Sequence, residues 1–277
     1  MHVDRPLTAL AVTLTVLSVG ATLLVGAPQA QAASASCVAP PIAHRGGAAR
    51  APENTVPAFR RALWAGATQL DLDVRFTSDG VPVVLHDRTV DRTTDGSGPV
   101  SAMTMSQLRS LDAGSWFSSE FAGIKVPTLR YVLDFGRTRG ATFQVELKVR
   151  PTRQQMDDFL NEIRWLGMLD RVRVTSFGEG TILDVRAAEP GLATAIIEEK
   201  TTYRSAEAVL SYGSTYVVHH WSVTKARAES WRSAGIEVRP WTVNSVKGWT
   251  RMAYDDAGPV ITDRPKAYLS WARSFCA

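Results

Sequence analysis

Two rhythms of apolar residues run through the chain from about residue 41 to its end. Short, mostly apolar runs predict strands at Pro41–His44, Leu70–Val74, Val81–His86, Phe143–Lys148, Val172–Phe177, Thr194–Glu198, Tyr216–Trp221, Glu237–Val243 and Pro259–Thr262. Between most of them the apolar spacing turns helical, at Val56–Ala65, Thr128–Arg137, Thr152–Leu166, Gly180–Ala188, Ser205–Tyr212, Lys225–Ala234, Val246–Asp255 and Lys266–Arg273. Gly66 and Gly235 stand just past two of these helices, where a glycine stop belongs. Strand alternating with helix implies a parallel sheet with helices outside it.

One pair of strands breaks the rhythm. Only Arg75 to Gly80 separates the second run from the third, which is too short for a crossover helix. Those two strands therefore form an antiparallel hairpin turning at Ser78-Asp79-Gly80, and a turn centred near Asp79 and Gly80 sets Asp73 opposite His86. Eight strand–helix units then remain.

The first residues obey neither rhythm. After Arg5 no charged residue appears before Arg45; Leu7 to Val25 is apolar, and Ala30-Gln31-Ala32 follows Pro28. That order predicts a secretory signal peptide over residues 1–32, cleaved after Ala32, and a domain over residues 33–277. An uncleaved membrane anchor is the other reading of the same stretch. Cleavage leaves an exported protein with no stable membrane anchor. Cys37 and Cys276 are the only cysteines, one just after the leader and one at the end. In an exported chain such a pair forms a disulfide, so the ends of the fold lie side by side. Adjacent ends favour an α/β TIM (β/α)8 barrel, with a short hairpin after its second strand, over an open doubly wound sheet.

Charge narrows the partners. Of 277 residues 45% are hydrophobic, ample for one large core, and the formal net charge is +4. That excess suits an anionic substrate or surface. It does not suit nucleic acid, because the densest basic pair, Arg60-Arg61, lies on an ordinary helix face. The oligomeric state is left open.

In such a barrel the working residues gather at the carboxyl ends of the strands. Here those ends carry His44-Arg45-Gly46-Gly47, Asp71-Leu72-Asp73, His86-Asp87, Glu146-Leu147-Lys148, Ser176-Phe177, Trp241-Thr242-Val243-Asn244 and Thr262-Asp263. The two-residue period puts Asp71 and Asp73 on one face of their strand, toward the lumen. Three lumen carboxylates, Asp71, Asp73 and Glu146, need a cation, and all-oxygen ligation favours Ca²⁺ or Mg²⁺ over zinc. His44 and His86 supply acid and base beside it. His219-His220 also end a strand, and read as satisfied strand histidines.

These segments, with Pro52-Glu53-Asn54-Thr55, Asp79-Gly80-Val81-Pro82, Pro127-Thr128-Leu129 and Thr262-Asp263-Arg264-Pro265, resemble a glycerophosphodiester phosphodiesterase along nearly the whole mature chain. The resemblance implies a TIM barrel that cleaves a small glycerophosphodiester to glycerol 3-phosphate and an alcohol with a divalent metal. It implies His44 and His86 as the acid/base pair, and Asp73 and Glu146 as metal ligands. Arg45 and Lys148 would hold the phosphate, and Glu53 would join the polar network around His44 or the metal. Trp241 packs against the glycerol or a choline head, or simply fills the barrel. One departure is Asp71, where the family's usual residue is Glu. The shorter arm must reach the ion by a shifted strand or through a water, a looser grip that favours Ca²⁺ over Mg²⁺. A second is the short stretch from Arg88 to Val126, which leaves room for only a small lid.

Whether water or the glycerol 2-hydroxyl attacks first stays open. The rival readings are a phospholipase D of the sphingomyelinase type, on a similar barrel, and a non-catalytic wall- or phosphate-binding barrel.

Overall fold

The computed structural model describes residues 1–2, 37–199 and 202–277. It divides the chain into Met1–Ser34 and Ala35–Ala277. The expected leader, apart from its first two residues, lies outside the described residues, and the architecture below is that of the second unit. Among the described residues no helix is long and apolar enough to cross a membrane.

The strands are β1 (Ile42–Ala43), β2 (Gln69–Phe76), β3 (Pro82–Val84), β4 (Thr142–Leu147), β5 (Val172–Ser176), β6 (Ala193–Glu198), β7 (Thr215–His219), β8 (Glu237–Trp241) and β9 (Ile261–Thr262). Eight run parallel in the order β8-β7-β6-β5-β4-β2-β1-β9, and β3 pairs antiparallel with β2. Just past β8, the Val243 amide donates to the Ile261 carbonyl at 2.9 Å and draws the two ends of this order together. The expected TIM barrel is the fold. The helices are α1 (Val56–Trp64), α2 (Met105–Ser110), α3 (Leu129–Arg137), α4 (Arg153–Trp165), α5 (Glu179–Ala188), α6 (Ala206–Leu210), α7 (Lys225–Ser233), α8 (Val246–Tyr254) and α9 (Pro265–Phe275). Thr128, Thr152, Ser205, Thr224 and Ser245 each cap the helix that follows, accepting a backbone N–H of its first turn.

Alternation along each strand divides core from lumen. Leu70, Leu72 and Val74 of β2 face outward with Phe143, Val145 and Leu147 of β4, and pack against α1, α3 and α4. Each such fully buried side chain contributes roughly 1.5–3 kcal/mol. Ile196, Tyr216, Val218 and Val238 do the same beneath α7, α8 and α9. The lumen itself has two halves. Ile42, Ala195, Ile197, Val217 and Ile261 form an apolar cluster with Trp241, while Asp71 and Asp73 of β2, Gln144 of β4 and Arg239 of β8 are buried polar side chains.

The hairpin corrects one expectation. Val74 pairs with Val84 and Phe76 with Pro82, and the Leu85 amide donates to the Asp73 carbonyl at 3.0 Å. Asp73 therefore stands opposite Leu85, not His86. The loop holds three residues, Ser78 to Gly80, closed by the Thr77 amide on the Val81 carbonyl at 3.1 Å. Gly80 takes the left-handed conformation (φ 81°) that such a loop requires. Beyond Val84 the chain leaves the ladder: Leu85 joins a satellite core with Val83, Val90, Val100, Leu108 and Val126, and His86 still lines the cavity at the barrel mouth. The satellite contains α2, which the sequence reading did not anticipate, and it accounts for the stretch from Arg88 to Val126. Cys37 and Cys276 are joined by a disulfide with Cα atoms 5.5 Å apart, and the nearby Tyr268 hydroxyl donates to the Ala39 carbonyl at 2.8 Å.

Candidate active site

The chain leaves β1 through a strained turn. Arg45 is left-handed (φ 49°), as is Asn54 (φ 59°). Gly46 (φ 83°) has no room for a side chain, since a Cβ there would stand 2.9 Å from Ala58 and Phe59 of α1. Left-handed non-glycine residues cost of order 1–3 kcal/mol each, and hydrogen bonds to the carboxylates of β2 hold them. The Arg45 amide donates to Asp71 Oδ2 at 3.3 Å, and Asn54 Nδ2 donates to Asp73 Oδ2 at 2.7 Å. The Asn54 amide closes the loop on the Arg45 carbonyl at 2.9 Å.

Both histidines are held from behind by a carboxylate. His44 Nδ1 lies 2.6 Å from Asp263 Oδ1, and His86 Nδ1 lies 2.6 Å from Asp87 Oδ1. A carboxylate only accepts, so each Nδ1 carries a proton and each Nε2 is left for other chemistry. Asn244 orients Asp263, donating Nδ2 to its Oδ2 at 2.5 Å and accepting its amide at 2.8 Å. Arg92 of the satellite spans Asp87 and Glu53, with contacts of 2.6 to 3.1 Å. Glu53 in turn accepts from Arg45 Nη1 at 2.9 Å. The expected role of Glu53 in a polar network thus takes shape as a chain of charges from His86 to Arg45.

His44, Arg45, Asp71, His86, Gln144, Glu146 and Lys148 line one cavity of about 140 Å³, with Phe177, Ile197, Val217, Trp241 and Ile261 as its apolar wall. The volume suits a small polar molecule, being below the ~300–1,000 Å³ of drug-sized pockets. A larger cleft of about 680 Å³, bordered by α1 and α9, has neither histidine nor carboxylate in its lining. Trp241 is edge-on to Phe177 (5.6 Å) and donates Nε1 to the Glu198 carbonyl at 3.2 Å. His219 packs edge-on to Trp241, and His220 Nδ1 lies 3.0 Å from Arg251 Nη2; neither histidine lines the cavity.

The environments push the two imidazoles apart. Burial works to lower His44, but the Asp263 hydrogen bond and the Asp71 charge outweigh it and leave it above its ordinary 6.5. Burial also lowers His86, and there Arg45 and Lys148 add enough to leave it below 6.5 despite Asp73 and Asp87. Among the carboxylates, burial raises Asp71, with Asp73 adding to it. Burial opposes the ionised form of Asp73 as well, yet Arg45 and Lys148 hold it below the usual range. Glu146 is pushed up to about 7 by burial and by the charge of Asp73.

Among the described residues, no three His, Cys or carboxylate side chains stand close enough to hold a metal ion. The chain's own groups engage them instead. Lys148 Nζ is 2.6 Å from Glu146 and 3.7 Å from Asp73, and Gln144 Nε2 donates to Asp71 Oδ1 at 2.9 Å. Nor is the strand shifted at Asp71, which pairs in unbroken register between Gln69 and Val74. The donor chemistry still fits a hard divalent ion: three carboxylates, all oxygen, with Asp71 and Asp73 buried and Glu146 half-buried.

Sequence reasoning had not given roles to Asp87, Asp263, Asn244, Asn54, Arg92, Gln144 or Arg239. Asp87 and Asp263 adjoin strand ends, and Asn244 and Asn54 lie in segments that carry the resemblance. Arg92 and Gln144 had no such signal.

Residues 44–267 match the model of the glycerophosphoryl diester phosphodiesterase family. The chain belongs to that family. A glycerophosphodiester phosphodiesterase of Caldanaerobacter subterraneus subsp. tengcongensis is 32% identical over 238 residues, spanning 84% of this chain and 97% of that protein. The crystal structure of a glycerophosphodiester phosphodiesterase from Agrobacterium tumefaciens superimposes with a TM-score of 0.75 at 31% identity, covering 84% of this chain and 100% of the other. A phosphodiesterase of Oleispira antarctica, solved in complex with its product sn-glycerol-3-phosphate, shares the fold at a TM-score of 0.80 and 24% identity, over 85% and 97% of the two chains. Glycerophosphodiester phosphodiesterase activity and a small glycerophosphodiester substrate go with the family.

Proposed function

We propose that this glycerophosphodiester phosphodiesterase is a metal-dependent enzyme that releases glycerol 3-phosphate and an alcohol by paired histidine catalysis, outside the cell. The observation that carries the reading is the pair of carboxylate-backed histidines on one cavity with Arg45 and Lys148. Buried Arg45 Nε approaches Asp73 at 3.4 Å but has no hydrogen-bond partner, and a phosphate oxygen would satisfy it. Lys148 adds a second positive charge.

His86, whose affinity for protons burial, Arg45 and Lys148 lower, is the base and takes the nucleophile's proton on Nε2. His44, with the raised affinity, is the protonated partner and delivers its Nε2 proton to the departing alkoxide. Asp71, Asp73 and Glu146 would hold one divalent cation, Ca²⁺ in preference to Mg²⁺, which when bound neutralises charge on the phosphate oxygens. Trp241 and Phe177 form the apolar side on which the glycerol or the leaving alcohol rests. Export is supported by the leader pattern and by the cysteine pair, a bond that persists in oxidising compartments.

Turnover of glycerophosphocholine before and after chelation tests the reading. Loss of glycerol 3-phosphate release with EDTA, restored by Ca²⁺, is the expected result, and full turnover in EDTA would remove the metal.

A further inference from the structure

We infer that Gln144 and Arg239 are positioning residues that hold the short carboxylate of Asp71 from within the barrel. The inference rests on the proposed role of Asp71 in the reaction site. Its basis is a chain of buried polar contacts crossing the lumen. Asp71 of β2 and Gln144 of β4 are register partners. Gln144 Nε2 donates to Asp71 Oδ1 at 2.9 Å, and Gln144 Oε1 accepts from Arg239 Nη1 of β8 at 3.2 Å. Arg239 is anchored in turn on Glu237, with contacts of 3.0 to 3.3 Å.

Two features make this more than a satisfied core. First, an amide has one accepting and one donating end, and a guanidinium only donates. Arg239 therefore dictates that the Gln144 oxygen faces it and that the NH₂ faces Asp71. Without Arg239 the amide could turn, setting its oxygen against a carboxylate. Second, the other Asp71 oxygen takes the Arg45 amide at 3.3 Å. Both oxygens are thus tied, one to the strained turn that carries His44 and Arg45, the other to Gln144. Asp71 and Asp73 share one face of β2, where two buried like charges repel, so the orientation of Asp71 depends on the groups that hold its oxygens. A glutamate has a further torsion with which to find its place; an aspartate depends on its supports.

The experiment is a double-mutant cycle of Gln144→Leu with Asp71→Glu, read in kcat and KM on glycerophosphocholine and in Ca²⁺ affinity by calorimetry. Gln144→Leu should lower kcat about tenfold and weaken Ca²⁺ by a similar factor, with KM changed less than about threefold. In the Asp71→Glu background the same substitution should cost less than about threefold, because the longer arm no longer needs the tether. Gln144→Glu preserves volume and the bond to Arg239 while removing the donor to Asp71; it should behave as Gln144→Leu does, and it serves if the leucine variant fails to fold. Arg239→Met should act in the same direction. Equal costs in the wild-type and Asp71→Glu backgrounds, or a Gln144→Glu enzyme with native kcat and Ca²⁺ affinity, would overturn the inference. If the wild-type enzyme binds neither Ca²⁺ nor Mg²⁺, the metal reading fails, and the kcat cycle still decides between positioning and mere packing.

Discussion

His44 Nδ1 stands 2.6 Å from Asp263 Oδ1, although 219 residues separate the two in the chain. β1 and β9 are neighbours in the closed barrel, and the last strand of the fold thereby sets the tautomer of a residue on the first. Asp263 is itself set by Asn244, which follows β8. The pairing of β1 with β9 that closes the barrel thus also brings His44 to Asp263.

That relationship predicts a pH effect. An acid must be protonated to work, so activity falls as pH rises through the His44 pKa, which Asp263 helps to hold above 6.5. Asp263→Asn should shift the alkaline limb of kcat/KM to lower pH and reduce kcat by about tenfold or more. The base must be deprotonated, so the acid limb follows His86. Asp87 raises that pKa in part, and Asp87→Asn should move the acid limb further down. The pH–rate profiles of the two variants should shift on opposite limbs, and a shift of the same limb in both would refute the assignment.

The fold was legible because each strand presents apolar residues to the helices at every second position, as Leu70, Leu72 and Val74 do. Strand ends came within one or two residues for the same reason. The hairpin slipped by one because Ser78-Asp79-Gly80 fits loops of either two or three residues, and only the Thr77–Val81 closure distinguishes them. The histidines and lumen carboxylates were visible as polar residues ending apolar strands. Their supports were not: Arg92 matters only because the satellite brings it to Glu53 and Asp87, and Gln144 only because β2 and β4 pair in one register.

Metal binding should be linked to protons. Glu146, pushed up to about 7, must lose its proton to act as a ligand. Ca²⁺ affinity should therefore weaken as pH falls from about 8 to about 6, and binding near neutral pH should release a fraction of a proton. Calorimetry in buffers of different ionisation enthalpy measures that release. Affinity independent of pH over this range would exclude Glu146 from the ligand set.

The Cys37–Cys276 bond should stabilise without acting in catalysis. It joins the segment before β1 to the end of α9, and neither cysteine lines the active-site cavity. Closing so long a loop is worth about 2–4 kcal/mol, so reduction should lower the thermal midpoint by roughly 5–15 °C. kcat below that midpoint should stay within about twofold. An unchanged midpoint, or free thiols found by mass spectrometry in the native protein, would contradict it.

The most direct measurement is product analysis of glycerophosphocholine turned over with saturating Ca²⁺ by the wild-type, His44→Ala and His86→Ala enzymes. The wild type should release glycerol 3-phosphate and choline, and each variant should lose at least about 10²-fold in kcat, the scale of a removed acid or base. Release of phosphocholine and glycerol instead, or near-native turnover by either variant, would contradict paired histidine catalysis at this site.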